Sequence, residues 1–312
     1  MALNILVTGG AGYIGSILTP LLVECGHNVT VLDNFLFKQS SLNHLCIYKN
    51  FEVINGDVRV LSTIKALVKN KDIIIPLAAL VGAPLCNKDP IGAKTTNNEA
   101  IKLLLSNISK NQIILMPTTN SAYGSGGKNN FCDEESELNP ISSYAQDKVE
   151  VEKKLIEHDN FISFRLATVF GMSPRMRLDL LVNDFTYRAV FDKSIVLFEE
   201  HFKRNYVHVR DVASVFLHAI DNYNAMKNNI YNVGLSTANL SKRELCEEIK
   251  KHIMDLEICS AKLGKDPDQR NYIVSNEKIE KTGFKTKFTL NDGINELIKG
   301  FKMIKRTEFG NI

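Results

Sequence analysis

The sequence predicts an α/β protein built on a doubly wound parallel sheet, with a smaller mixed α/β lobe in its second half. Short apolar runs alternate with longer segments of helical period from Asn4 to Leu166, and a glycine-rich turn follows the first run. After Gly171 this alternation loosens. Apolar strands separated by helices are typical of a parallel sheet that is covered on both faces. We therefore expect ligands to bind beyond the carboxyl ends of the strands.

The elements of the first half follow from the spacing of their apolar residues. Strands are predicted where short runs are mostly apolar or β-branched, which gives Asn4 to Thr8, Asn28 to Asp33, Phe51 to Ile54, Asp72 to Leu77, Gln112 to Pro117 and Phe161 to Leu166. Helices are predicted where apolar residues recur every three or four positions, which gives Tyr13 to Cys25, Leu61 to Lys69, Asn97 to Ser109 and Ser142 to His158.

The second half mixes helical and extended segments. Helices are predicted over Leu178 to Ala189, Val212 to Ile220 and Ser241 to Ile253, the last with Ser241 and Glu244 as a capping box, and extended segments over Ile195 to Phe198 and Arg204 to Val209. We interpret residues 1–170 as one domain, to which 204–222 return, and residues 171–312 as the smaller lobe.

Composition narrows the classes of partner. The 312 residues carry a net charge of +3, with 44% hydrophobic and 23% charged residues, which favours neither nucleic acid nor a membrane surface as a partner. No apolar run approaches the ~20 residues that span a bilayer, and residues 1–8 lack the basic start of a signal peptide. The six cysteines form no metal-binding pattern, so we expect no metal and a reducing, cytoplasmic setting.

The glycine-rich turn has the spacing of a dinucleotide-binding loop. Gly10-x-Gly12-x-x-Gly15 lies between the first strand and the first helix, and Gly9 adds a second register. Glycine allows a tight turn and a close approach of the backbone to a pyrophosphate, which the helix N-terminus faces. A glycine pattern alone is also compatible with an ordinary tight turn, but its position between strand and helix favours the cofactor.

Two carboxylates follow the next strands. Asp33 ends the second strand, where it can accept hydrogen bonds from the adenosine ribose, and its charge would repel a 2′-phosphate. These features favour NAD over NADP. Gly56-Asp57 follows the third strand, where the acid suits the adenine amino group. Both pairs, Asp33-Asn34 and Gly56-Asp57, are equally ordinary as turns.

Tyr144 and Lys148 form a Y-x-x-x-K pair in a predicted helix. Residues four apart share a helix face, so both side chains can reach one bound molecule. A phenol loses its proton near pH ~10, and a neighbouring ammonium lowers that pKa. The pair therefore predicts a base for the dehydrogenation of an alcohol.

Together these stretches resemble the extended short-chain dehydrogenases and reductases, specifically the nucleotide-sugar epimerases and dehydratases. The matching stretches run in the family's order: T-G-G-A-G-Y-I-G (8–15), L-D-N (32–34), G-D (56–57), L-A-A (77–79), T-T-N-S-A-Y-G (118–124), Y-A-Q-D-K (144–148), F-R-L-A-T-V-F-G (164–171) and R-N-Y-V-H-V-R-D-V-A (204–213). The resemblance implies a Rossmann-type NAD-binding domain, a nucleotide-sugar-binding lobe and a homodimer that pairs the helices Asn97 to Ser109 and Ser142 to His158.

The resemblance also implies roles for individual residues. Thr119 would hydrogen-bond the reacting sugar oxygen, with Tyr144 as base and Lys148 as the group that lowers its pKa. The implied cofactor-binding residues are Gly9, Gly12, Tyr13, Ile14, Gly15, Asp33, Asn34, Asp57, Val58, Leu77, Ala78, Ala79, Asn97, Tyr144 and Lys148. The implied substrate-binding residues are Val81, Thr119, Asn120, Ser121, Thr168, Asn183, Arg204 and Arg270, of which Asn183, Arg204 and Arg270 would bind the nucleotide diphosphate.

Departures from the family pattern restrict the reaction. Relatives that eliminate water have an Asp-Glu pair where this chain has Asn120 and Ser121, and neither side chain is a carboxylic acid, so 4,6-dehydration is disfavoured. Cys86 follows the fourth strand, where a buried structural thiol is the favoured interpretation. His208 is interpreted as a packed structural histidine.

The expected reaction is NAD-dependent oxidation at C4 of a nucleotide sugar, by a 4-dehydrogenase or a 4-epimerase. Residues 76–86 and 165–185 resemble the branch that acts on GDP-D-glycero-D-manno-heptose in capsular polysaccharide biosynthesis, which favours a GDP-sugar. The alternative enzyme is a UDP-glucose or UDP-N-acetylglucosamine 4-epimerase. An alternative of another class is a non-catalytic NAD-binding sensor.

Overall fold

A seven-stranded parallel sheet forms the centre of the protein. The computed structural model describes residues 2–125, 131–261 and 270–304. With strands numbered along the whole chain, the sheet contains β1 (Asn4–Thr8), β2 (Asn28–Asp33), β3 (Phe51–Asn55), β4 (Ile73–Pro76), β5 (Ile113–Thr119), β7 (Phe161–Leu166) and β11 (Asn229–Val233). Their order across the sheet is β3, β2, β1, β4, β5, β7, β11, and every pairing is parallel. The doubly wound sheet predicted from the sequence is confirmed.

Three smaller sheets lie outside the central one. The strand β10 (Lys203–His208) pairs with β8 (Thr168–Phe170) and β12 (Asn239–Ser241). Two further pairs are β9 (Ser194–Leu197) with β13 (Glu257–Ser260) and β6 (Phe131–Cys132) with β14 (Ile273–Val274).

Helices cover the sheet and build the rest of the lobe. They are α1 (Gly15–Glu24), α2 (Leu61–Leu67), α3 (Ala83–Lys88), α4 (Pro90–Lys94), α5 (Ala100–Leu105), α6 (Ser143–His158), α7 (Leu181–Phe191), α8 (Val209–Asp221), α9 (Tyr223–Met226), α10 (Lys242–Lys250), α11 (Glu277–Glu280) and α12 (Leu290–Gly300). Short 3₁₀ turns occupy Asn43–Leu45 and Asn120–Tyr123, and a π-helical turn occupies Thr95–Glu99. In the residues described, no helix is both long enough and apolar enough to cross a membrane.

The structure differs from the sequence expectations in several elements, and it contains helices such as α12 that were not predicted. The strand β11, which the sequence analysis did not identify, extends the central sheet beside β7. Of residues 204–222, the helix α8 packs on α1, whereas β10 belongs to the smaller sheet. The helix expected over Asn97 to Ser109 is instead a π-helical turn followed by α5. Polar Asn and Thr residues in the turn give its backbone little intrinsic helix preference.

Helix ends agree with the capping chemistry of the sequence. Ser241 accepts a hydrogen bond from the Glu244 backbone N–H at 3.1 Å, and the Glu244 carboxylate accepts one from the Ser241 N–H at 2.7 Å. This capping box begins α10 as predicted. Ser142 caps α6, the helix that carries Tyr144, through the Ala145 N–H.

The glycine turn brings β1 very close to the segment after β4. Gly9 has φ of +70°, and a Cβ at this position would lie 2.5 Å from the Ala78 nitrogen. A Cβ at Gly15 would lie 2.5 Å from the Gly10 carbonyl oxygen. Only glycine permits this spacing between strand, turn and helix.

We predict that Gly9→Ala destabilises the protein more than Gly26→Ala. Gly26 also has a positive φ, +84°, but no atom lies within 4 Å of its added Cβ. Both variants introduce backbone strain of roughly 1 to 2 kcal/mol, and the overlap at Gly9 adds about 1 to 3 kcal/mol more. Urea unfolding of both variants measures the difference, and equal losses of stability would contradict the close packing described for Gly9.

Candidate active site

The turn after β1 leads into a helix N-terminus that suits a pyrophosphate. Ile14, at the N-cap of α1, has no side-chain cap, and the first turn contains no acidic residue. The positive N-terminal end of α1 is therefore not neutralised by a side chain of this helix. The close packing of Gly9 and Gly15 keeps side chains out of the turn, so these residues fit a dinucleotide cofactor.

Asp33 braces this turn. Its carboxylate accepts hydrogen bonds from the Ala11 N–H at 3.0 Å and the Phe35 N–H at 2.8 Å. Burial raises the pKa of Asp33, and these two hydrogen bonds lower it. Each carboxylate oxygen has a further lone pair, so a ribose hydroxyl can still be accepted.

The residues that follow the strands near Asp33 already have partners within the protein, which the sequence did not indicate. Asp57 forms an ion pair with Arg59 at 2.6 Å, and this hydrogen bond lowers the pKa of Asp57. Asn34 is also hydrogen-bonded to Asp57. Val58 packs against the apolar cluster under β4. Contact between Asp57 and an adenine amino group therefore stays a prediction, because Arg59 already holds the carboxylate.

The wall after β4 is held in place by Asn97. The Leu77 N–H bonds the Thr8 carbonyl at 2.8 Å, which continues the β1 pairing beyond the strand. Asn97 is fully buried, and its amide accepts from the Leu80 N–H and donates to the Leu80 carbonyl, both at 2.8 Å. Leu77, Ala78, Ala79 and Val81 remain partly exposed along this wall. Asn97 thus orders the wall and has no free amide group for a cofactor.

Tyr144 and Lys148 lie together on α6. The Lys148 ammonium is 6.0 Å from the centre of the Tyr144 ring and donates to the Pro117 carbonyl at 3.4 Å. Lys148 is 4% exposed, whereas Tyr144 is partly exposed. Burial lowers the pKa of Lys148 to about 8 and raises that of Tyr144 to about 12. Both shifts disfavour the charged forms.

Thr119 lies at the end of β5, where the 3₁₀ turn begins. Its hydroxyl donates to the Ser121 hydroxyl at 3.0 Å and accepts from the Ser121 N–H at 3.1 Å. Arg270 also donates to the Ser121 hydroxyl, so the arginine expected to bind the diphosphate lies next to this turn. Asn120 is fully buried, and its side-chain amide has no hydrogen-bond partner among the described residues. Asn120 is thus closed to a ligand in this conformation.

Arg177 is a cation at the site that the sequence analysis missed. Its guanidinium pairs with Asp179 at 2.5 Å, and its terminal nitrogen would lie 3.8 Å from a Cβ at Gly82. Burial raises the pKa of Tyr144, and the charge of Arg177 is the first of the charges that lower it, ahead of Arg270. The S-P-R-M-R run after Gly171 was the available signal.

Asn183 holds the segment that carries Arg177. Its amide accepts from the Gly171 N–H at 3.0 Å and donates to the Arg177 carbonyl at 2.8 Å and the Tyr13 hydroxyl at 3.3 Å. The Tyr13 hydroxyl in turn donates to the Gly171 carbonyl at 2.7 Å. These contacts join the glycine turn to the smaller lobe. The side chains of Asn183 and Tyr13 are thus engaged within the protein, and their contact with a ligand stays a prediction.

Arg204 and Arg270 share one neighbourhood. Arg204 is 2% exposed and lies over the Tyr272 ring at 5.7 Å. Burial raises the pKa of the Tyr206 phenol, and the charges of Arg204 and Arg270 both lower it. Thr168 pairs with Tyr206 across β8 and β10. Two of the three residues expected at the diphosphate, Arg204 and Arg270, are therefore near the smaller sheet, whereas Asn183 bonds Gly171, Arg177 and Tyr13.

Cys86 and His208 are both packed residues. Cys86 is 1% exposed, and its thiol donates to the Leu80 carbonyl at 3.2 Å. Burial raises the pKa of this thiol, which disfavours the thiolate. His208 is fully buried, stacks on Phe288 and lies 2.8 Å from the Glu296 carboxylate. These contacts agree with the structural interpretation of both residues.

We predict that Lys148→Met stabilises the protein at neutral pH. Burial lowers the pKa of Lys148 to about 8 in the folded state, from 10.5 for an ordinary lysine, so the unfolded chain binds more protons between these values. The free-energy cost of burying the Lys148 ammonium, up to about 3 kcal/mol, therefore lowers the stability of the fold below pH 8. This cost disappears as the pH rises to about 10.5. Urea unfolding at pH 7 and pH 10 should show a stability advantage of the variant that narrows with pH. A constant advantage would refute the assigned desolvation.

Comparisons with known proteins identify a family and a fold. A family model described as the NAD dependent epimerase/dehydratase family matches residues 5–234. A putative UDP-glucose 4-epimerase of Methanocaldococcus jannaschii is 25% identical over 314 aligned residues, which cover 97% of this chain and all of that protein.

Two solved structures show the same fold. The UDP-glucose 4-epimerase of Thermotoga maritima with UDP-glucose has a TM-score of 0.83 at 24% identity, over 96% of this chain and 98% of that one. The UDP-glucuronic acid 4-epimerase of Bacillus cereus, in complex with UDP-glucuronic acid and NAD, has a TM-score of 0.83 at 22% identity, over 96% and 99%. Because the family model spans the glycine turn, Thr119, Tyr144 and Lys148, the chain belongs to the NAD dependent epimerase/dehydratase family and is an NAD-dependent enzyme of the extended short-chain dehydrogenases and reductases.

Proposed function

We propose that this protein oxidises C4 of a nucleotide diphosphate sugar with NAD. The observation that carries the proposal is that Tyr144 and Lys148 lie on α6, which contacts both β5, the strand that ends at Thr119, and the 3₁₀ turn that follows it. The glycine turn after β1 opens at the same edge of the sheet, because β1, β4 and β5 are neighbouring parallel strands. A base, a hydrogen-bonding hydroxyl and a cofactor turn are thereby gathered at one edge.

Tyr144 acts as the base in the proposed reaction. Its phenolate accepts the proton of the C4 hydroxyl, while Thr119 hydrogen-bonds the same oxygen. NAD, when bound, accepts the hydride that leaves C4. The product is a 4-keto sugar nucleotide, which a 4-dehydrogenase releases and a 4-epimerase reduces again on the other face.

The charge that favours the Tyr144 phenolate comes from more than Lys148. Burial favours the neutral form of Lys148 above a pH of about 8, so its ammonium assists mainly below that pH. Arg177 and Arg270 both lower the pKa of Tyr144. We therefore revise the sequence-based expectation, in which Lys148 alone among the side chains had this role.

Two nucleotide bases are candidates for the substrate. The resemblance of residues 76–86 and 165–185 to the GDP-heptose branch supports GDP-D-glycero-D-manno-heptose and a role in capsular polysaccharide biosynthesis. The full-length relative named as a putative UDP-glucose 4-epimerase supports UDP-glucose equally, and UDP-N-acetylglucosamine is the second UDP-sugar candidate. In either case we propose that Arg204 and Arg270 bind the diphosphate, since a guanidinium can meet two phosphate oxygens at once. The homodimer through the α5 and α6 regions stays a prediction.

A panel of nucleotide sugars tests the proposed function. We expect the purified protein to turn over at least one of UDP-glucose, UDP-N-acetylglucosamine and GDP-D-glycero-D-manno-heptose in the presence of NAD. Nicotinamide absorbance detects release of a 4-keto product, and the stereochemistry at C4 detects epimerisation. Absence of any reaction with the whole panel would refute the proposal and favour a non-catalytic NAD-binding sensor.

We predict that Tyr144→Phe reduces kcat by about 100-fold or more while NAD affinity changes little, because only the phenolic oxygen is removed. Tyr48→Phe, at a 40% exposed tyrosine, is the matched control and should retain parent activity. Rates come from the same absorbance assay, and NAD affinity comes from calorimetry. A Tyr144→Phe variant as active as the Tyr48→Phe control would exclude Tyr144 as the base.

We predict that Arg177→Met moves the acid limb of the kcat profile to higher pH by roughly one unit, because a charge that favours the phenolate is lost. Arg188→Met is the control, since Arg188 forms a comparable pair with Asp184 at 2.8 Å on α7. Steady-state rates measured from about pH 6 to about pH 10 give the shift. Identical profiles for the two variants would remove Arg177 from the proposed site.

A further inference from the structure

A buried ion pair lies behind the proposed catalytic residues. Glu152 and Arg165 are each 4% exposed. The Arg165 guanidinium donates to one Glu152 oxygen at 2.6 Å and 3.2 Å and to the other at 3.2 Å. We propose that this pair positions Tyr144 relative to Thr119, so that both can reach the substrate C4 hydroxyl when Tyr144 takes its proton. This inference rests on the function proposed above.

Glu152 belongs to the catalytic face of α6. Tyr144, Lys148 and Glu152 are spaced four residues apart, so they follow one another along one side of the helix. The carboxylate therefore fixes the rotation of the face from which the phenol projects. A turn of the helix about its axis would break the ion pair before Tyr144 could leave its place.

The same carboxylate also holds the end of β5. Glu152 accepts hydrogen bonds from the hydroxyls of Thr118 and Ser163, both at 3.1 Å. Thr118 directly precedes Thr119, the residue proposed to bond the reacting oxygen. One buried side chain thus belongs to the helix of the proposed base and contacts the strand that carries the hydrogen-bonding hydroxyl.

Arg165 extends the network to the far side of the site. Its guanidinium donates to the Tyr123 hydroxyl at 3.0 Å, and that hydroxyl donates to the side-chain amide oxygen of Asn232 at 2.7 Å. Tyr123 ends the 3₁₀ turn that follows Thr119. Asn232 lies on β11 and donates to the Ser275 carbonyl at 3.1 Å. The network therefore links the 3₁₀ turn and the residues after β14 to α6.

The physical chemistry of buried ion pairs favours a geometric role. Removing two charges from water is costly, and apolar residues of similar size often give equal or greater stability. Burial lowers the pKa of Arg165, but its hydrogen bonds and the charge of Glu152 raise it overall, so the guanidinium stays charged. What an apolar pair lacks is the directional bonding that fixes Thr118 and Tyr123.

The test replaces both charges at once. The double variant Glu152→Leu/Arg165→Met leaves no unpaired charge in the interior, which the single variants would. The control is Glu157→Gln on the same helix, where the carboxylate is exposed and pairs with Lys154 at 2.9 Å. The full chain is assayed with NAD and UDP-glucose, and with GDP-D-glycero-D-manno-heptose as the second probe, for kcat, KM, NAD affinity and melting temperature.

The inference predicts a double variant that folds and binds NAD like the parent but turns over about tenfold more slowly or worse, with little change in KM. The Glu157→Gln control should match the parent. A double variant with parent kcat would overturn the inference, as would a loss of NAD affinity and melting temperature in step with kcat. If the parent turns over none of the three sugar nucleotides of the panel above, the proposed function fails and this inference fails with it.

Discussion

The desolvation of two neighbouring ionisable side chains is the constraint on which the candidate site depends. Lys148 is nearly inaccessible to water, and the Tyr144 phenol beside it is deep enough for its pKa to rise to about 12. Both groups are therefore held towards their neutral forms. In the proposed reaction this phenol acts as a base, which requires fixed positive charge nearby, and the charges of Arg177 and Arg270 both lower its pKa. We therefore expect the pH dependence of the proposed reaction to reflect four side chains together, Tyr144, Lys148, Arg177 and Arg270.

The fold supplies this environment by joining elements that are distant in sequence. Close packing of Gly9 against Ala78 leaves room for backbone alone at the turn. The Tyr13 hydroxyl and the Asn183 amide then fasten the segment after Gly171 to that turn, which brings Arg177 towards Tyr144. Behind them, the Glu152 and Arg165 pair connects the helix of the base with the strand of Thr119. Rigid support behind a site of this kind is what keeps a proton donor and its acceptor in reacting geometry.

Much of the architecture could be predicted from local sequence pattern, because apolar periodicity and glycine spacing are local properties. The capping box at Ser241 and the six strands of the first half are examples. The strand β11 was missed because Asn229–Val233 contains two asparagines, which have low strand propensity, and its pairing with β7 is long-range. Arg177 was missed as a site residue for a similar reason: only the tertiary fold carries it to Tyr144. The buried amide of Asn120 and the engaged side chains of Asn183 and Asn97 likewise could not be read from motif position, since burial is not encoded at one position.

In the proposed reaction C4 of the sugar loses a hydride to NAD, and Tyr144 takes the proton of the hydroxyl on that carbon. The most direct measurement is a single turnover with a nucleotide sugar that carries deuterium at C4, followed by mass spectrometry of the cofactor and the sugar. Oxidation at C4 predicts deuterium on the nicotinamide, at least transiently, and a primary isotope effect on the hydride transfer. Deuterium that stays at C4 throughout turnover, or that is lost to water, would contradict it.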